Sequence, residues 1–117
     1  MFSTNAKNEM LDGLTVNRVR LHSGDPGAAG ANNQIAGTYQ EVAFDAAASG
    51  ARALSADEDF TGLTPSQSIT WASIWDDNGG SPVHKGNIEI ASGDVAANAA
   101  GEYSLTTSTQ LTLTDPA

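Results

Sequence analysis

Apolar residues in this 117-residue chain recur mostly at every second position, in short runs broken by glycine, serine, aspartate and proline. Only residues 2–12 (FSTNAKNEMLD) read as helix. Ser3 or Thr4 can cap it, Met10 and Leu11 supply a short apolar face, and Gly13 stops it. Three turns at most are marginal alone in water, so this helix needs something to dock on. Leu14 to Leu21 predicts a strand whose parity slips near Asn17, as at a bulge. Tyr39 to Phe44 predicts another, with Val42 and Phe44 inward, followed by the weak or irregular stretch AAASGARALSADEDF. Ser68 to Trp75 is the most apolar strand, with Ile69, Trp71 and Trp75 on one face and Ile74 on the other. His84 to Ala91 alternates Ile88 and Ile90 with polar residues. Tyr103, Leu105, Thr107, Thr109, Leu111 and Leu113 share one parity, which predicts a long strand or a closely turned pair. The expected core is Trp71, Ile74 or Trp75, Ile88, Ile90, Phe44, Val42, Leu111 and Leu113.

Six strand-like runs with turn punctuation predict an all-β fold, an antiparallel β-sandwich or small barrel with one short N-terminal helix. The division is an arm, residues 1–13, and a single β domain, residues 14–117. Residues 22–37 (HSGDPGAAGANNQIAG) are turn chemistry throughout, too long for a hairpin and too small-sided to pack by themselves.

Composition narrows the function. Leu, Ile, Val and Phe number 21 and Ala 19, so the core is thin and contacts with neighbours are expected to supplement it. Five Lys and Arg against fourteen Asp and Glu leave no basic footprint for nucleic acid. No run approaches a membrane span, and no secretory leader is read at the N-terminus. Without cysteine there are no disulfides, thiolate metal sites or cysteine nucleophiles.

Candidate chemistry is sparse. His22 and His84 lack a Gly-x-Ser-x-Gly elbow or metal-ligand spacing, and read as surface or turn histidines. Asp57-Glu58-Asp59 and Asp76-Asp77-Asn78-Gly79-Gly80 depart from the alternating acids of a calcium loop and read as solvated turns. GDPGAAG matches neither a phosphate loop nor a dinucleotide fingerprint. Trp71 and Trp75 read as core packing ahead of a sugar platform. No catalytic residue, cofactor or metal is expected.

The order of short motifs is more telling. Leu21-His22-Ser23-Gly24-Asp25-Pro26-Gly27, then Gly30-Ala31-Asn32, resembles the LHTADPG…GAN signature of a family of small virion proteins of tailed phages. Gly37-Thr38-Tyr39, Val42-Ala43-Phe44, the small-residue stretch Ala46 to Ala53, Ala72-Ser73-Ile74-Trp75-Asp76, Gly79-Gly80 and Gly86 to Ile90 follow in the family's order, covering about residues 19–95. Ser-Gly stands where the family usually has Thr-Ala, and the N-terminal helix is this chain's own. The resemblance implies a non-enzymatic structural protein that decorates or cements the capsid, or alternatively a minor tail, fibre or baseplate component. It would be made in the host cytoplasm and end on the outside of the head, with the tail as the alternative site. Its partner would be the major capsid protein or another virion protein. It is expected to form a symmetric homo-oligomer, a trimer ahead of a dimer, with no nucleic acid or membrane bound. Phe2, Met10 and Leu11 of the arm and Asp25, Pro26, Asn32 and Asn33 of the glycine-rich loop are the expected partner-facing residues.

Overall fold

A computed structural model describes residues 2–90 and 95–112. Helix α1 runs Thr4–Asp12, and eight short strands follow: β1 Arg18–His22, β2 Gln40–Glu41, β3 Ala51–Ala53, β4 Glu58–Phe60, β5 Trp71–Asp76, β6 Val83–Glu89, β7 Tyr103–Leu105 and β8 Gln110–Thr112. All pairing is antiparallel. One sheet has the order β2-β1-β5-β6, and two ribbons, β3-β8 and β4-β7, join the middle of the chain to its C-terminal part. The fold is thus mostly β, built of antiparallel sheets with one short N-terminal helix. The four-stranded sheet ends openly at β2 and β6, so no barrel closes among the described residues.

The helix forms as its ends predict. Ser3 Oγ accepts from the Ala6 amide at 3.1 Å, and the Gly13 amide closes on Glu9 O at 3.0 Å. Its docking is intramolecular. Leu11 is fully buried with Val16, Ile74 and Leu111, while Phe2 and Met10 stay 42% and 39% exposed. Polar ties reinforce this seat. Asp12 accepts from the Ala47 amide at 2.7 Å, Asn8 accepts from the Gly50 amide at 2.9 Å, and the Arg52 guanidinium donates to Leu11 O and Leu14 O at 3.2 and 2.9 Å. Burying a leucine of this kind stabilises by roughly 1.5–3 kcal/mol, more than an isolated helix of nine residues can supply.

The main core joins Val19 and Leu21 of β1 and Ala72 of β5 to Leu54, Phe60, Leu63, Ile69, Ala97, Tyr103 and Leu105. The inner face of the sheet therefore lies on β4-β7 at one end and on α1 and β8 at the other. Ile74 and Leu111 are core residues as expected, and Val42, Phe44, Ile88 and Ile90 pack partly buried against the two clusters. Trp71 and Trp75 do not belong to the core. Ala72 and Ile74 take the inward positions of β5, which sends both tryptophans, half-buried, to the opposite face. Leu113 and Ala91 lie outside the described residues.

The parity slip expected near Asn17 is present, since Val16 and Val19 are both buried. The Asn17 amide donates to the carbonyl of Trp75, the register partner of Arg18, while its own carbonyl accepts from Val42, both at 3.0 Å. A register shift also falls in β5-β6, between Ile74 and Trp75. The run from Tyr103 to Leu111 is two closely turned strands, not one long strand, and the two do not pair with each other. A turn closed by the Thr109 amide on Thr106 O splits it, and its halves pair with β4 and β3.

Candidate functional site

The chemistry gathers on the outer face of the four-stranded sheet. Residues opposite one another in an antiparallel register share a face, so Arg18, Arg20 and His22 of β1 stand beside Trp75, Ser73 and Trp71 of β5. His84, Asn87 and Glu89 of β6 continue these rows. Residues 23–37 fold back over this surface, so the loop read as unable to pack is packed by its own chain. Pro26 is fully buried, the Asn32 amide donates to Pro26 O at 3.0 Å, and Asn87 Nδ2 donates to Gly27 O at 2.9 Å. The loop's glycines are needed where it touches the sheet. Gly30 has φ +67°, and a Cβ there would lie 2.4 Å from the His84 ring.

At the centre lies His22, fully buried, and so neither a surface nor a turn histidine. A carbonyl only accepts, so Nδ1 carries the proton and donates to Asn32 O at 2.7 Å. Nε2 is then the acceptor for the Ser73 hydroxyl, also at 2.7 Å. Ser73 Oγ accepts in turn from the Trp75 indole N–H at 2.7 Å. Burial pushes the imidazole below its ordinary pKa, the bond to Asn32 pulls the other way, and Arg20 and His84 add to the lowering.

Toward solvent the face is cationic and aromatic. The Arg20 guanidinium lies 4.9 Å from the Tyr39 ring centre and 5.4 Å from that of Trp75, and donates to Gln34 at 2.8 Å. Arg18 approaches Tyr39 at 5.5 Å and pairs with Glu41 at 3.5 Å. The Tyr39 hydroxyl donates to Asp77 at 2.9 Å; burial first, and then this bond, hold its pKa above the ordinary value.

A serine hydroxyl on an imidazole is the pairing of an activated nucleophile. Here both residues are fully buried and Ser73 also carries the Trp75 indole, so the pair faces no substrate and works as a latch between loop and sheet. Three carboxylates of the two acidic turns are likewise engaged within the fold. Asp77 accepts from Tyr39, Asp76 from the Asn78 amide and Asp57 from the Thr107 amide. A cleft of about 530 Å³ beside β4 and β7 is lined by Asp59, Glu102 and Ser104 among others, and by neither histidine.

The expected partner-facing residues separate into two groups. Asp25, Asn32 and Asn33 are exposed on the loop, where the Asp25 carboxylate fixes the turn by accepting from the Gly27 amide at 2.8 Å. Pro26 beside them is buried, and so is Leu11. Met10 lies on the helix and Phe2 just before its cap; the helix packs beneath the inner face of the same sheet, so arm and loop do not form one surface. The polar alternation Arg18-x-Arg20-x-His22 opposite Trp71-x-Ser73-x-Trp75 was the available signal for this second face.

The chain matches no protein-family model, no curated protein and no solved structure.

Proposed function

We propose that this chain is a non-enzymatic structural protein of a tailed-phage virion, one that decorates the capsid and bridges its subunits as a homo-oligomer. One observation carries the reading. The two segments responsible for the family resemblance, LHSGDPG…GAN and IWD, form a single built unit, with the loop latched through His22 and Asn32 onto Ser73 and Trp75. A motif pair that serves to fix a loop on a sheet is what a structural family would keep in order. Bridging stabilises an assembled shell by mass action, since each copy binds the joined state more strongly than the separated one. The alternative, a tail component touching host glycans, calls for free aromatic faces. Arg20 stacks on Tyr39 and Trp75, which favours the head.

The test is to locate the chain in purified virions of the phage that encodes it. Quantitative mass spectrometry with antibody labelling should place it on the head in copy numbers comparable with the major capsid protein. Labelling confined to the tail would move the proposal to its alternative, and absence from the particle would end it.

A further inference from the structure

Strand β6 is an edge of the four-stranded sheet, seven residues long, and no described strand pairs with its outer side. The Ile90 amide donates to Thr70 O at 2.8 Å, which sets the alternation. Gly86 and Ile88 turn their backbone groups to β5, and Asn87 and Glu89 turn theirs outward. No hydrogen bond among the described residues engages those outward groups. An open edge of this length is a template for another strand. Ile88 stays only partly buried on the core side.

The side chains specify what can add there. Lys85 and Glu89 are exposed, lie on either side of Asn87, and have no ion-pair partner among the described residues. We propose that β6 pairs with β6 of a second copy across a two-fold axis at Asn87. In that register Lys85 meets the partner's Glu89 twice over, once from each copy. Ile88 lies opposite the partner's Gly86, against which Leu111 of that copy packs, so the pair adds an apolar contact on the core side. Moving the axis two residues either way sets Lys85 against the partner's Lys85, or Glu89 against the partner's Glu89, and both are repulsive. The lysine and the register shift that discourage indiscriminate edge pairing thus select one register. The symmetry is that of a dimer, not the trimer expected from sequence. The contact is small, so its Kd should fall at roughly 10–100 µM. None of this rests on the virion reading, because the isolated chain carries the edge.

The experiment is sedimentation of the full chain over a concentration series, with Lys85→Glu, Glu89→Lys and the double exchange. Each single reversal turns two attractive pairs into two repulsive ones and should weaken dimerisation at least about tenfold. The double exchange should restore it to about the original value. Amide exchange at Asn87 and Glu89 should slow in concentrated samples and not in dilute ones, a readout independent of the variants. A chain that stays monomeric up to about 1 mM, a trimer, or a double exchange no better than the single reversals would overturn the proposal.

Discussion

Gly30 shows what the loop demands of one residue. Its φ is +67° and His84 fills the space a side chain would take, whereas Gly37 has a similar φ, +77°, and open surroundings. Gly37→Ala should therefore cost the backbone strain alone, about 1 kcal/mol, and Gly30→Ala should cost about 1–3 kcal/mol more, as His84 is displaced. Urea unfolding of the two variants side by side measures the difference, and equal losses would mean the loop does not press on His84. Ser73→Ala removes the acceptor of Trp75 and the donor to His22, and should cost about 1–3 kcal/mol. His22 itself makes stability depend on pH. Its folded pKa lies below the unfolded value of 6.5, so the unfolded chain takes up the proton first as pH falls. Stability is whole above pH 6.5 and declines below it, down to the folded pKa. The melting temperature of the wild type should drop across that window relative to its own plateau, and that of His22→Gln should stay flatter over the same range. Parallel curves would remove His22 as the cause.

At the scale of elements, the burial pattern of β5 decides which substitutions matter. Ile74→Ala and Leu11→Ala each open the second core cluster and should cost about 2–5 kcal/mol, and Met10→Ala, on the exposed side of the same helix, should change stability little. Denaturant midpoints check the ranking, and a Met10 effect as large as that of Leu11 would refute the seating of α1. The same strand shows what was legible in advance. Period-two alternation placed Trp71 and Trp75 opposite Ile74 correctly, and turn residues marked most element ends. It did not say which face was inward, because size suggested the tryptophans and the chain buries Ala72 and Ile74 instead. The outer face is completed by the docked loop, which reaches His22, His84 and Asn87, and loop docking leaves no periodic trace. His22 stayed hidden for the same reason, since its partners Asn32 and Ser73 lie 10 and 51 positions away. The helix was readable from its caps and Leu11. Its polar ties to residues 45–52 were not, because they join backbone groups of a stretch without a pattern.

Over the whole molecule, charge limits what can be bound. Three of the five basic residues are spent inside the fold: Arg18 and Arg20 on the aromatic face, and Arg52 on the carbonyls that hold α1. The formal charge of −9 is thus carried outward by carboxylates with few surface cations among them, and a docking surface on a capsid would have to be basic or apolar. The two cases respond oppositely to salt. Attachment steered by carboxylates to basic patches weakens as the screening length shrinks, from about 14 Å near 0.05 M to about 4 Å near 0.5 M. Attachment through exposed apolar side chains such as Met10, Val83 and Val95 holds or strengthens over that range. The proposed role predicts the first behaviour. Particles washed at rising ionic strength should lose this chain progressively while the capsid shell stays intact, and dialysis back to low salt should restore the decoration. Retention unchanged by salt would shift the contact to the apolar side chains, and Met10→Ala together with Val83→Thr would then be the variants expected to fall off.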